Sequence, residues 1–189
     1  MHSISGLYLK TDARYGGLFS VIDTTGIVKN LKLTNSYFES SVADIGSIAG
    51  WGKGTFDTIY SDAIVKSEKT KVGGIIGYIV SDTTMNQVQF AGMTAANNQT
   101  GGLAATVKDA NVTLTDCLVT GTVSTTETAT GKHMNAGLLV GMIDANSDAA
   151  ELLGEPDDRV FGDARNGRVG GQAVAVRNDL AVCCLDRSA

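Results

Sequence analysis

The chain has 189 residues, which is enough for one domain with a sizeable core. Hydrophobic residues make up 43% of it and the formal net charge is −5, so the composition excludes an intrinsically disordered chain and a basic nucleic-acid-binding surface. No apolar run is long enough to span a bilayer, which excludes a transmembrane helix from the prediction.

The first residues indicate a strand rather than a leader. Met1 to Ile4 lack the basic and long apolar regions of a signal peptide, and strand-like sequence starts at once, over Ile4 to Leu9. With 23 Gly and only 1 Pro, the composition favours tightly wound strands and turns over helices. We interpret the chain as an interior piece of a longer polypeptide.

A short glycine-led block recurs five times along the chain. The intervals between the first glycines of successive copies are 30, 27, 28 and 36 residues. The copies are GGLFSV from Gly16, GSIAGW from Gly46, GGIIGY from Gly73, GGLAAT from Gly101 and GLLVGM from Gly137. Self-similarity at this period is typical of stacked-repeat proteins. We expect the paired glycines to serve close backbone approach or positive φ at a bend.

A second block follows each of the first four glycine blocks and repeats at 28 or 29 residues. Its first apolar column is Val28, Phe56, Met85 and Leu114. A polar column follows, namely Asn30, Thr58, Gln87 and Asp116. Two further columns are Leu31, Ile59, Val88 and Cys117, and then Leu33, Ser61, Phe90 and Val119. Helical periodicity is not sustained in these windows.

These patterns predict an all-β fold, a parallel β-helix or solenoid of about four to five coils over residues 1–147. One repeat cannot bury its own apolar side. Stacking equivalent runs at the spacing of hydrogen-bonded strands places like residues over like residues and forms a continuous core. The near-constant period disfavours the other all-β possibility, a β-sandwich of short strands.

The repeat resembles the GLUG-motif repeats of bacterial extracellular proteins. Gly73–Tyr78 (GGIIGY) matches the first half of that motif and Leu114–Val123 (LTDCLVTGTV) the second, and the likeness extends over about residues 4–146. Ser47 departs from it, because it stands where the motif has a second glycine. The resemblance implies a noncatalytic part of a large secreted or wall-attached protein, such as the regions beside IgA-protease domains.

Composition changes abruptly near residue 148. All nine lysines lie at or before Lys132, whereas five of the six arginines lie at or after Arg159. Residues 148–189 are therefore an atypical tail, interpreted as a terminal cap, a linker or non-native sequence. Within it we expect a short helix over Ala149 to Leu153, N-capped by Ser147, and a strand over Val174 to Val182.

Two aromatic residues are the candidate ligand contacts. Trp51 and Tyr78 occupy the same position of successive glycine blocks. Stacked on the outside of a coil, they could contact sugar rings. The alternative is an aromatic ladder packed at a bend, without a ligand.

The other chemistry-bearing residues predict no catalytic, cofactor or metal site. Asp23, Asp82, Asp109 and Asp144 recur after the repeat glycines and form either a turn-capping series or an acidic edge for Ca²⁺. Cys117 sits in an apolar column, which predicts a buried thiol, and with Cys183 and Cys184 it is no disulfide framework. His2 and His133 lack neighbouring metal-type ligands, and we expect His133 in an exposed loop.

The sequence thus predicts a noncatalytic structural or adhesive segment of a secreted or cell-surface bacterial protein. Its partners would be cell-surface or host glycans or proteins and the other domains of a longer parent chain. The alternative is a fragment of a carbohydrate-active β-helix enzyme, a hydrolase or lyase. Clustered carboxylates in a lateral groove would favour the enzyme.

Overall fold

A computed structural model describes residues 1–125 and 135–143 in full, and the backbone of residues 172–175 and 182–185. Every regular element in these parts of the chain is a β-strand. In chain order they are β1 (His2–Ser5), β2 (Tyr8–Thr11), β3 (Phe19–Ile22), β4 (Ile27–Thr34), β5 (Tyr37–Ser40), β6 (Ala43–Gly46), β7 (Ala49–Ser61), β8 (Ile64–Ser67), β9 (Thr70–Gly73), β10 (Ile76–Phe90), β11 (Met93–Ala96), β12 (Asn98–Gly101), β13 (Ala104–Val107), β14 (Val112–Thr115), β15 (Leu118–Val119), β16 (Thr122–Thr125), β17 (Ala136–Gly137), β18 (Val140–Ile143), β19 (Gln172–Ala175) and β20 (Val182–Leu185).

Three parallel sheets wind into a β-solenoid of about four turns, which confirms the predicted fold class. The first sheet has the strand order β1-β4-β7-β10-β13-β18, with β3 on β7 and with β14 and β15 on β10. The second has the order β16-β11-β8-β5-β2, and the third β17-β12-β9-β6. Each strand therefore pairs with strands one turn away, so the ladders run along the solenoid.

The apolar columns of the sequence are interior columns of the solenoid. Val28 is in register with Phe56, Phe56 with Met85, and Met85 with Leu114. Phe56 and Met85 are fully buried, whereas Val28 at the end of the column is only partly buried. Every residue of the next two columns is also buried, including the one polar side chain, Ser61. The prediction that residues 28 or 29 positions apart stack on one another is confirmed.

The polar column marks a bend within the long strands. Asn30, Thr58, Gln87 and Asp116 all have φ between 50° and 55°, in the left-handed region. At this φ the strand direction turns while the residues on either side keep their ladder bonds. A second left-handed column, Asp44, Lys71 and Gln99, lies in the third sheet. Asn and Asp tolerate this conformation better than other non-glycine residues, which explains Asn30 and Asp116 at the two ends of the first column.

The repeat glycines are required by close backbone approach. At Gly73 a Cβ would collide with the backbone oxygen of Ile76, and the equivalent collision occurs at Gly101 with Ala104. The expectation of close approach is confirmed. The alternative, positive φ, is wrong for these two glycines, because neither Gly73 nor Gly101 has a positive φ.

The second glycine of the block is matched to the residue that it faces across the core. At Gly74 a Cβ would lie 2.6 Å from the Phe90 ring. In the preceding turn these two positions hold Ser47 and Ser61, and the Ser61 hydroxyl lies 2.9 Å from the Ser47 hydroxyl, which donates to the Gly74 carbonyl oxygen. The departure of Ser47 from the motif is thus compensated by a small polar partner in place of a phenyl ring.

In the tail the structure describes two strands. β19 and β20 pair antiparallel, with Gln172 opposite Leu185, and β20 runs beside β17 and β18. The single strand predicted over Val174 to Val182 is therefore wrong, because its two ends belong to different strands of an antiparallel pair. The helix predicted over Ala149 to Leu153 lies outside the described residues. The division at residue 147 and the nature of the tail stay predictions.

Candidate binding surface

Trp51 and Tyr78 lie next to each other on the outside of the first sheet. They are in register between β7 and β10, as predicted from the sequence. Val21 precedes Trp51 in the same column and Thr106 follows Tyr78. Both aromatic side chains are half-buried. The column is therefore an outer ladder rather than part of the core.

Side chains of the protein cover the faces of these rings. Tyr15 stacks on Trp51 with ring centroids 5.6 Å apart and an interplanar angle of 19°. Lys53 Nζ lies 4.6 Å from the Trp51 ring centroid, and Lys71 Nζ lies 4.2 Å from that of Tyr78. Such cation–π contacts stabilise a packed ladder, which is the second of the two predicted roles. Contact of Trp51 and Tyr78 with a ligand stays a prediction.

A buried carboxylate organises the cations of this ladder. Asp44 is 2% exposed, with Lys71 Nζ 3.4 Å from Oδ1 and Arg14 Nε 3.7 Å from Oδ2. Burial raises the pKa of Asp44 above its ordinary value, and the charges of Lys71 and Arg14 oppose that rise. Arg14 also lies over the Tyr15 ring, at 5.3 Å. One carboxylate thus positions two of the cations that contact aromatic rings.

A second aromatic pair lies on the outer face of the second sheet, and sequence analysis did not single it out. Tyr8 on β2 and Tyr37 on β5 are in register, with centroids 5.4 Å apart and rings 9° from parallel. The Tyr37 hydroxyl donates to Glu39 Oε2 at 2.7 Å, and Lys10 Nζ lies 2.7 Å from Glu39 Oε1. The signal was present: each strand reads Tyr-x-charged, with the tyrosines 29 residues apart.

The hydrogen bonds of Glu39 fix its ionisation. The hydrogen bond from Lys10 first, and that from Tyr37 second, hold the pKa of Glu39 below its ordinary value. The same contact with Glu39 raises the pKa of the Tyr37 hydroxyl. This carboxylate is therefore ionised at neutral pH and binds two neighbours on its own surface.

In the predicted acidic series Asp23 caps a turn, as the first of the two interpretations expected, whereas Asp82 bonds to the neighbouring turn of the solenoid. Asp23 accepts the backbone N–H of Thr24 at 2.7 Å and contacts Lys53 Nζ at 3.2 Å. Asp82 accepts the backbone N–H of Asn111 at 3.0 Å. Asp109 is a left-handed residue with φ 52°, and Asp144 lies outside the described residues. Within the described parts no three His, Cys, Asp or Glu side chains are grouped as metal ligands would be.

The structure also places most of the cysteines and histidines considered from the sequence. Cys117 is buried as predicted, and burial raises the pKa of its thiol to about 11, so it stays protonated at neutral pH. His2 is exposed on β1, and His133 lies outside the described residues. Cys183 and Cys184 lie on β20. Among the strands and loops described there is no helix that could cross a membrane.

Two curated proteins resemble parts of the chain. A Gly-rich membrane protein of Evansella cellulosilytica is 38% identical over 61 residues, which is 31% of this chain and 7% of that protein. Halomucin of Haloquadratum walsbyi is 32% identical over 97 residues, which is 51% of this chain and 1% of that protein. The matched part of the chain is thus a small fraction of both relatives. No protein-family model and no solved structure matches the chain, so the GLUG resemblance stays a prediction.

Proposed function

We propose that this chain is a noncatalytic structural or adhesive segment of a secreted or cell-surface bacterial protein, presenting a rigid lateral surface for binding. The observation that carries the proposal is the set of three continuous parallel sheets. Each turn is bonded to the next through all three, so bending the solenoid would stretch ladder hydrogen bonds on one side. Continuous ladders of this kind make a stiff rod.

The outer faces support a binding role. Each aromatic pair lies among charged side chains: the exposed Tyr8 and half-buried Tyr37 lie beside Glu39, and the half-buried Trp51 lies beside Lys53. Aromatic rings with a few polar neighbours are typical contacts for sugars and for protein side chains. The two pairs lie on different sheets, so they define two lateral surfaces.

The ionisation of Asp23 and Glu39 supports the noncatalytic part of the proposal, and Asp44, whose pKa burial raises, is held between Arg14 and Lys71. Asp23 and Glu39 are ion-paired, and the pKa of each lies below its ordinary value, so neither is held protonated as a general acid would be. Asp57 accepts a hydrogen bond from the Asn86 amide at 2.6 Å. Each of these carboxylates has a structural partner on the neighbouring turn.

The similarities support the surface location. The Evansella relative is described as a membrane protein, and the matched regions of both relatives are small parts of much longer chains. A repeat segment within a long surface protein would have this relation to its relatives. Since the matches are partial, the parent chain and its partners belong to the proposal.

A binding and turnover experiment tests the proposal. The full chain is immobilised and exposed to a panel of bacterial and host polysaccharides and cell-wall fragments, and the same panel is assayed for released reducing ends and unsaturated uronates. We expect saturable binding that weakens in Trp51→Ala or in Tyr37→Ala, with Tyr60→Ala as the matched control on another part of the surface. Turnover of any polysaccharide would instead establish the hydrolase or lyase alternative. Absence of binding by the unmodified chain to every probe would contradict the adhesive role.

A further inference from the structure

Large apolar side chains are exposed at one end of the solenoid. Among the described residues, the exposed large hydrophobic side chains all belong to the first turn: Met1 at 64%, Tyr8 at 71%, Phe19 at 44%, Val21 at 44% and Ile27 at 65%. Clusters of exposed apolar residues mark interaction surfaces on soluble proteins. The first turn, whose strands β1, β2 and β3 form the end face, therefore exposes more large apolar side chains than the other described turns do.

The interior columns are open at the same end. Ile4 is partly buried, although its register partner Leu33 is fully buried. Leu9 is likewise partly buried, whereas its partner Phe38 is 1% exposed. Each column would be completed by one more apolar residue. The end face is thus the same kind of surface that each turn presents to the next, and no turn among the described residues covers it.

Among the described strands, those of the end face pair with a neighbour along one edge only. β1 pairs with β4, β2 with β5, and β3 with β7, each on one side. The other edge of each strand presents backbone N–H and C=O groups in the spacing of a parallel ladder. Such an edge recruits an extended chain by adding a strand.

Charge and ring stacking specify what the added strand carries. Three turn-to-turn contacts place second-turn acids against first-turn cations: Lys10 pairs with Glu39, Arg14 with Asp44, and Lys29 lies in register with Asp57. These three cations also lie on the end turn. The pair of Asp23 with Lys53 has the opposite polarity. The Tyr8 ring, stacked on Tyr37 on one side, remains largely exposed. An aromatic residue over Tyr8 and an acid over Lys10 would repeat the pattern.

We propose that the end face of the first turn is an interface for a further parallel β-solenoid turn, with an aromatic residue over Tyr8 and a carboxylate over Lys10. This inference rests on the proposed scaffold role and specifies how the rod is extended. The partner is a polypeptide turn with the inward apolar pattern of this chain. The second turn, residues 31–58, has that chemistry.

The register permits a direct test by grafting. His2 and Ile59 both pair with Leu31, so a copy of residues 31–58 placed between Met1 and His2 of the full chain enters β1 in phase. The control graft has the same length, with Phe38, Ile45 and Phe56 of the copied turn replaced by Ser. A third graft replaces only the copied Tyr37 by Ala.

The readouts are the thermal midpoint and the amide hydrogen exchange of Tyr8–Thr11. We expect the intact graft to raise the midpoint by several degrees over the control graft and to slow exchange in β2 about tenfold. The Tyr37→Ala graft should fall between the two. Equal midpoints and equal exchange for the intact and control grafts overturn the proposal.

The oligomeric state of the unmodified chain tests whether a second copy of the chain occupies the end face instead. Dimerisation that protects β2 and is abolished by Tyr8→Lys would make a second copy the occupant and would also overturn the proposal. These measurements read only the end face. A negative result here leaves the polysaccharide-binding experiment to decide the proposed function on its own.

Discussion

Thr58 holds a backbone conformation that is costly for its side chain, and replacing it should stabilise the protein. Its φ is 55°, while the equivalent residue one turn earlier, Asn30, has the same φ. The left-handed region costs an ordinary L-residue about 1–2 kcal/mol, and a β-branched residue there is an outlier. Asn is among the residues that adopt this region most readily. Thr58→Asn should therefore raise the free energy of unfolding.

The gain should be about 1 kcal/mol, because Asn retains part of the left-handed cost. The side chain offers little to offset it: Thr58 is half-buried, and its hydroxyl is 3.3 Å from Gln87 Oε1, a contact that an Asn amide can also make. For a chain of this length, 1 kcal/mol corresponds to about 2–4 °C in the thermal midpoint. Urea denaturation followed by circular dichroism measures the change directly.

The mirror substitution is the control. Asn30→Thr places the β-branched residue in the same column one turn away, and we expect a loss of about 1 kcal/mol. The double variant should then return close to the stability of the unmodified chain. If Thr58→Asn is neutral or destabilising while Asn30→Thr has no effect, backbone conformation does not govern these corners and the reasoning is refuted.

Three further results are expected. Phe56→Ala should cost about 3–5 kcal/mol of unfolding free energy, and Val28→Ala at the open end of the same column much less; equal losses in urea titrations would contradict the column as described. Asp44→Asn tests the raised pKa of that carboxyl. The contribution of Asp44 to the free energy of unfolding is full below its ordinary pKa of 3.8 and is lost as the pH rises through the higher pKa of the folded state. The variant should therefore gain stability relative to the unmodified chain as the pH rises above 3.8. If the variant instead gained stability relative to the unmodified chain as the pH falls, the charges of Arg14 and Lys71 would outweigh the effect of burial on the pKa of Asp44. Cys117, with the other two cysteines replaced by serine, should react with a thiol reagent only as fast as the native structure opens, because its thiol is buried with a pKa of about 11; rapid labelling would place it at the surface.

The fold could be predicted because its main signal is repeated. Val28, Phe56, Met85 and Leu114 share one interior column, and a single column at constant spacing already implies stacked turns. Cys117 was assigned to the interior on the same ground. Burial depends mainly on position in the repeat, so each copy of the pattern supports the others.

Features that depend on local geometry were not predictable in the same way. The polar column ending at Asp116 was recognised, but its left-handed backbone was not, because Thr58 and Gln87 are unusual residues for that conformation. The Tyr8–Tyr37 pair was missed because both residues lie outside the two blocks that defined the repeat. The coverage of Trp51 by Lys53 depends on side-chain rotamers, which a column of letters does not contain.

The Ser47–Ser61 pair distinguishes one turn from the next, because the equivalent positions of the next turn hold Gly74 and the Phe90 ring. A phenyl ring opposite Ser47, or a glycine opposite Ser61, would leave a buried hydroxyl without this partner. The two positions therefore form one unit, and an exchange of turns within the repeat has to carry both residues together.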